Sequence, residues 1–235
     1  MKILSLYDEA ALADQLAFQR KNCWDLETAI HWDTAIDLQK PLVPLDEDAL
    51  FFPGASSEER LAVSQLLGLI IATAICEMEE CLVRLRSVAF EKILKKHPVS
   101  PEFSELGEQF FIEEIKHSQA FRRYLKLFAN QTGIELKDLE LVLPKILNTK
   151  TESLLKNNLE SGGHAFWWIV AEVEQEFLLL YNTISPFKVD VEPLYFDLHR
   201  KHFEEEARHA SYPYMVLELL ITRGKGPRDY FHSKS

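Results

Sequence analysis

The chain has little of what would tie it to an oxidising compartment or to an anionic polymer. Three cysteines in 235 residues, Cys23, Cys76 and Cys81, make neither a disulfide framework nor a zinc pattern, so a reduced, cytoplasmic setting is expected. Basic residues are outnumbered, 26 Lys and Arg against 37 Asp and Glu, and the sequence pI is near 5.2. That balance gives no general attraction to nucleic acid or to an anionic membrane surface. Long apolar runs are missing too. The most apolar stretch, residues 66–76, is too short to span a bilayer and runs into Glu77. The N-terminal MKILSLYDEAALADQ turns acidic too early for a signal peptide. Only eight glycines and ten prolines interrupt the chain, which leaves long stretches free to be helical. What is abundant is carboxylate, the raw material of hard-metal sites.

The punctuation predicts an all-α protein. An amphipathic helix is expected over 5–21, then an irregular segment over 22–57 with Trp24, Trp32, Pro41, Pro44, Pro53 and Gly54, read as a wrapping arm or a lid. Ser56-Ser57-Glu58-Glu59 is a helix start with acids in its first turn, and that helix should run to Lys96, before His97-Pro98. Ser100-Pro101-Glu102 opens a second helix to about 131. A shorter one is expected over 137–158, with Pro144 as its weak point. Gly162-Gly163 precedes an apolar helix over 164–183, and Glu192-Pro193 opens a last one to about 222. These give three regions: 1–56, an N-terminal helix and arm; 57–223, a helical bundle centred on two antiparallel hairpins; and 224–235, a polar tail.

An internal repeat carries the chemistry. Glu113-Glu114-Ile115-Lys116-His117 and Glu205-Glu206-Ala207-Arg208-His209 share the form Glu-Glu-x-x-His. Residues three apart on a helix project from one face, so Glu114 with His117, and Glu206 with His209, can approach one ion together. A bundle that holds two metal ions adds one more Glu from a neighbouring helix to each such pair. Upstream of the two motifs stand Glu77, Glu79 and Glu80, and Glu172, Glu174 and Glu176. Glu79 and Glu174 occupy matching edges of their apolar stripes, while Glu77 or Glu80, and Glu172 or Glu176, remain rivals. Glu79 lies 35 residues before Glu114, and Glu174 lies 32 before Glu206, with a proline-marked turn between. Running down one helix and back up the next returns each pair to a similar depth. His202, four residues before Glu206 and seven before His209, extends the second stripe; Phe110 stands at the matching place in the first. It is read as a metal ligand or as a hydrogen-bond partner of one. Glu113 and Glu205 are read as outer-face residues or as supports of the ligands. His31, His97, His164, His199 and His232 have no such partners. Oxygen-rich ligands with a few imidazoles suit iron, or manganese as the alternative ion.

The pattern His202-x3-Glu206-x2-His209, after Glu113-Glu114-x2-His117, resembles the p-aminobenzoate N-oxygenase family of non-haem di-iron proteins. The string His202-Phe203-Glu204-Glu205-Glu206-Ala207-Arg208-His209 is its most specific part; Trp32-Asp33-Thr34-Ala35-Ile36-Asp37 before a proline-bearing loop is a weaker match. The likeness spans most of 25–222. It implies a ferritin-like bundle and two irons held by Glu79, Glu114, His117, Glu174, His202, Glu206 and His209. It also implies O2 as co-substrate and oxygen transfer to an amine nitrogen. The chain is short for that family, which puts the substrate pocket in question.

The function expected is therefore a di-iron oxygenase acting on a small molecule such as an aromatic amine. It would be served by an electron donor, without nucleic acid or membrane, and a homodimer is one option for its assembly. Phe166, Trp167, Trp168 and Phe177 are candidates for a substrate pocket, core packing being the ordinary role of such residues. The alternative is a ferroxidase or iron-handling protein, for which a long N-terminal arm has no evident use.

Overall fold

Capping chemistry sets where the helices begin. The computed structural model describes residues 9–44, 54–145 and 147–223. After α1 (Glu9–Asn22), Ser56 and Glu59 form a reciprocal capping box that opens α2 (Ser57–Arg86). A π-helical turn, Ser87–Glu91, joins α2 to a short α3 (Lys92–Lys96). Ser100 caps α4 (Pro101–Thr132), with Pro101 at the position where a missing N–H costs nothing. Gly133, at φ 71°, closes α4 in the left-handed conformation that favours glycine. There follow α5 (Leu136–Val142), α6 (Thr149–Glu160), α7 (His164–Ile184), a 3-10 turn (Ser185–Phe187), α8 (Pro193–His209) and α9 (Tyr212–Arg223). Among the described residues every regular element is helical, and they form a helical bundle in which α2 packs chiefly on α4, and α7 on α8 and α9.

The interior is layered along the helix axes. One apolar cluster takes Ile75 and Cys76 from α2, Phe121 and Tyr124 from α4, Phe177 from α7 and Tyr195 and Leu198 from α8. The other takes Leu82 and Leu85 from α2, Phe110 and Phe111 from α4, Trp167 and Val170 from α7 and Tyr212 and Val216 from α9. Between the two, at one level, lie the buried polar residues Glu79, Glu113, Glu114, His117, Glu174, His202, Glu205, Glu206 and His209. A polar layer walled by apolar packing above and below is shielded from water, which raises the strength of every charge interaction in it.

The arm after α1 is packed rather than loose. Trp24, Ile30, Trp32, Ile36 and Leu42 are all buried in the first cluster. Backbone links fix its course: Glu192 N–H donates to Pro41 O, Gln65 donates to Leu38 O and Lys40 O, and Ser64 exchanges hydrogen bonds with Val43. Gly68 of α2 lets Leu42 approach so closely that a Cβ there would meet the Leu42 side chain at 2.3 Å.

Two expected helices are divided. The last one breaks at Ala210-Ser211 because Pro213 has no N–H and its ring clashes with the carbonyl four residues back. The segment 137–158 splits into α5 and α6 around Leu143-Pro144, with Leu143 extended as the residue before a proline prefers. The start of the first expected helix, 5–8, and the tail 224–235 lie outside the described residues. The 40-residue helical stretch Ser57–Lys96 is long and apolar enough, by length and composition, to cross a membrane. Here it packs on α4 and turns Glu79 inward.

Candidate metal centre

Six of the seven residues singled out as ligands fall into two overlapping groups. Glu79, His117, His202 and Glu206 form one; Glu114, His117, Glu206 and His209 form the other; in each, one donor atom per residue lies within 4.8 Å of all the rest. His117 and Glu206 are common to both. The closest approaches are His202 Nε2 to Glu79 Oε1 at 2.8 Å and to Glu206 Oε1 at 3.0 Å, His117 Nδ1 to Glu206 Oε1 at 3.0 Å, and His209 Nδ1 to Glu114 Oε1 at 2.8 Å. The seventh, Glu174, is 2% exposed and lies within hydrogen-bonding reach of Glu206. The rivals point elsewhere. Glu80 pairs with Arg122 and Arg84, Glu77 accepts from Leu147 N–H, and Glu172 and Glu176 are exposed.

Many of the inward donor atoms have no hydrogen-bond partner: Glu79 Oε2, Glu114 Oε1, His117 Nδ1, Glu174 Oε2, both oxygens of Glu206, and His209 Nδ1. Four of them, Glu114 Oε1, Glu206 Oε1 and the two Nδ1 atoms, crowd within ion-pair distance without the alignment of hydrogen bonds. Buried polar atoms rarely go unsatisfied, and a set aimed at a common centre suits cations better than it suits itself. The buried Glu and His clusters could hold metal.

The outward atoms are satisfied, and by the opposite motif. His117 Nε2 pairs with Glu205 Oε2 at 2.7 Å, and His209 Nε2 with Glu113 Oε2 at 2.7 Å. The first Glu of each Glu-Glu-x-x-His segment thus clasps the histidine of the other, with Nδ1 left facing the centre. Glu113 and Glu205 are fully buried, so the outer-face alternative does not hold for them. Lys116 Nζ lies 2.6 Å from Glu205 Oε1, Arg208 lies 3.5 Å from Glu113 and 3.4 Å from Glu205, and Gln19 of α1 donates to Glu113 at 2.9 Å. The indole of Trp24 stacks on His117 at 5.9 Å with Lys116 Nζ 4.3 Å from its centre, and the Trp24 backbone N–H donates to Glu205. Sequence reading missed both Gln19 and Trp24: Trp24 stands in an irregular arm with no periodicity to aim a side chain, and Gln19 lies on a helix whose packing partner its own pattern does not name.

The charges respond to this environment. Burial first, then neighbouring Glu114 and Glu206, raises the Glu79 carboxyl well above the usual range. Glu174 is raised in the same way by burial, then by Glu206. Burial also pushes up Glu206 and Glu205, but the imidazoles His209 and His202 hold Glu206 well below its ordinary value, and His117 with Lys116 holds Glu205 down to about 2. Burial lowers His202. His199, one turn before it, is buried and pushed down to about 3, so it packs as a neutral ring beside Tyr195 and Phe121. His97 is buried and His31 exposed, both apart from the centre, and His232 lies outside the described residues.

On the other side of the centre, an apolar cavity of about 540 Å³, counting its open mouth, reaches Glu79, Glu114 and Glu174. Its walls are Met78, Cys81 and Leu82 of α2, Leu155 of α6 with the preceding Leu147, and Phe166, Ile169, Val170, Val173 and Phe177 of α7. Of the four aromatic candidates, Phe166 and Phe177 line it. Trp167 is buried in the second apolar cluster, and Trp168 is 48% exposed against Tyr214. The centre is therefore two-sided: carboxylates towards the cavity, clasped imidazoles towards Trp24 and the ion pairs. No family profile, curated protein or solved structure matches the chain.

Proposed function

We propose that the chain is a ferritin-like, non-haem di-iron oxygenase that oxidises a small molecule, an amine nitrogen being the target that its resemblance to the p-aminobenzoate N-oxygenases suggests. The observation that carries this reading is the pair of overlapping buried groups sharing His117 and Glu206. Contacts between helices support the two-hairpin arrangement. Between α2 and α4, Arg86 meets Glu108 and Cys76 meets Ser118, so one numbering rises as the other falls. Between α7 and α8–α9, Tyr181 meets Phe203 and Trp167 meets Tyr212, again in opposed order.

Charge balance supports two divalent ions. Six glutamates are buried in the layer, and Lys116 and Arg208 are the cations placed against Glu113 and Glu205. The four remaining carboxylates, Glu79, Glu114, Glu174 and Glu206, carry four negative charges, matched by two divalent cations with the three imidazoles neutral. Glu79, Glu114, His117, Glu174, His202, Glu206 and His209 would hold them, and two ferrous ions, when bound, would supply electrons towards the reduction of O2. Glu113 and Glu205 fix the ring orientation and proton position of the two clasped histidines. The apolar walls exclude water from the space where a substrate would meet the centre.

The cavity also favours this reading over a ferroxidase. Hydrated Fe(II) as substrate calls for polar groups along its route, whereas here the approach is lined by Leu, Val, Ile, Met and Phe. The test is to load the reduced protein with Fe(II), admit O2 and follow both absorbance and arylamine products. A transient chromophore with two irons per chain and an oxidised amine is the expected result; no chromophore and no product from any arylamine overturns it.

A further inference from the structure

We propose that the cavity beside the carboxylates selects a substrate that carries no charge at all: an unsubstituted or alkyl-substituted arylamine rather than an aminobenzoate or an alkylamine. The inference rests on the oxygenase reading for its chemistry and on the cavity alone for its selectivity. Among the described residues lining the cavity, none is a Lys, Arg or His, and none bears a hydroxyl or an amide. The ionisable groups there are the carboxyls of Glu79, Glu114 and Glu174, at the inner end, and the thiol of Cys81, which carries no positive charge in any state. A substrate carboxylate would lie against Leu82, Val170 and Phe166 with no cation to meet it, and burying an unpaired charge is strongly unfavourable. The cations near the centre, Lys116 and Arg208, are committed to Glu205 and Glu113 on the opposite side. An alkylamine is protonated at neutral pH and would compete with metal for the same carboxylates. An arylamine is neutral there, because the ring withdraws the nitrogen lone pair. Its ring fits the apolar walls, and its nitrogen is the one polar atom it has to place at the carboxylate end.

Three ligands of similar size separate the cases: p-toluidine, p-aminobenzoate and benzylamine, titrated calorimetrically into the full chain loaded with Zn(II), which is inert to O2. We expect p-toluidine to bind at least about tenfold more tightly than either charged analogue. Val170→Trp, which fills the cavity, should abolish that binding while two metals per chain are retained. Ile169→Trp does the same from the half-exposed rim, and it decides the matter if the first variant fails to fold. Met78→Arg should turn the preference towards p-aminobenzoate. Equal or tighter binding of p-aminobenzoate or benzylamine, no binding of any of the three, or p-toluidine binding unchanged by the tryptophans would overturn the assignment. Binding of p-toluidine by the Zn(II) protein, with no chromophore and no product from any arylamine when the Fe(II) protein meets O2, would remove the oxygenase reading and leave the cavity assignment standing.

Discussion

His209 and Glu113 stand 96 positions apart in the chain and 2.7 Å apart in space, with the imidazole Nε2 against the carboxylate of the other motif. The reciprocal pair, His117 and Glu205, has the same separation of 2.7 Å. Each histidine is thereby turned so that Nδ1 faces the centre. Supports of this kind typically govern metal affinity by about 10–100-fold. Glu205→Gln and Glu113→Gln should each weaken binding within that range while leaving two sites per chain, as read by competition with a chromophoric chelator. Unchanged affinity in both variants would show the clasp to be idle.

His202 tests which residues hold the first ion. Its Nε2 is within 3.0 Å of both Glu79 and Glu206, so it belongs to one group and not to the other. His202→Ala should weaken one of the two ions selectively, by about 100-fold or more if the imidazole is a ligand and about tenfold if it only steadies one. Stepwise titration with Co(II), followed by its visible bands, distinguishes the two. Equal weakening of both ions would place His202 outside the first group.

Stability should depend on pH in opposite senses for different groups. Burial works against protonation of His117, but Glu205 and Glu206 outweigh it and raise the ring from 6.5 to about 9. A group raised on folding stabilises fully below its unfolded value and loses that contribution as pH rises through the folded one. Glu79 and Glu174, raised by burial, act in the same direction from the ordinary carboxyl range upward. Chelator-stripped protein should therefore melt at falling temperatures from pH 6.5 to 9, by about 2–4 °C per kcal/mol lost. Glu205, held down to about 2 from 4.5, contributes above 4.5 and loses its share as pH falls towards 2. Calorimetry in buffers of different ionisation enthalpy should show proton release when metal binds near pH 7. A rise in melting temperature of the stripped protein between pH 6.5 and 9 would contradict this account.

Lys116 is one of the groups that make a fully buried Glu205 tolerable, beside His117 and Arg208. Lys116→Met leaves that carboxylate with less compensation, and breaking a buried pair from one side costs about 3–5 kcal/mol. Urea unfolding of the metal-free protein should show a loss of that order, and a Lys116→Met/Glu205→Gln double variant should recover part of it.

Gly107 sets the spacing of the second apolar cluster. A Cβ there would meet Tyr212 Oη at 2.1 Å and the Phe90 ring at 2.2 Å. Gly107→Ala should destabilise the fold by about 1–3 kcal/mol through overpacking, despite the better helix propensity of alanine. Thermal unfolding measures it directly; a neutral or stabilising effect would mean that Phe90 and Tyr212 are free to shift.

The polar layer was legible from spacing because helical rise is regular. The matching apolar stripes, with separations of 35 and 32 residues, favoured Glu79 and Glu174 without excluding their neighbours, and the structure turns both inward while Glu80, Glu172 and Glu176 face out. The clasp was not legible to the same degree. Spacing left Glu113 and Glu205 as either outer-face residues or supports of the ligands, because which histidine each would hold depends on how the helices rotate about one another. The break at Ala210-Ser211 falls inside the single helix expected to about 222; its local cause is Pro213, which that expectation left out of account. The walls of the cavity come from α2, α6 and α7, which meet only in three dimensions, and no local period joins them.

The crossed carboxylate–histidine pairs also bear on how such a chain can be divided. A fragment ending in the α5–α6 connection would carry His117 but not the acid that orients it, and the remainder would carry His209 without Glu113. Neither piece owns a complete half-site, since His117 and Glu206 each serve both groups. Cut there, the two fragments should bind metal only when mixed, and the recovery of binding on mixing would itself report their reassembly.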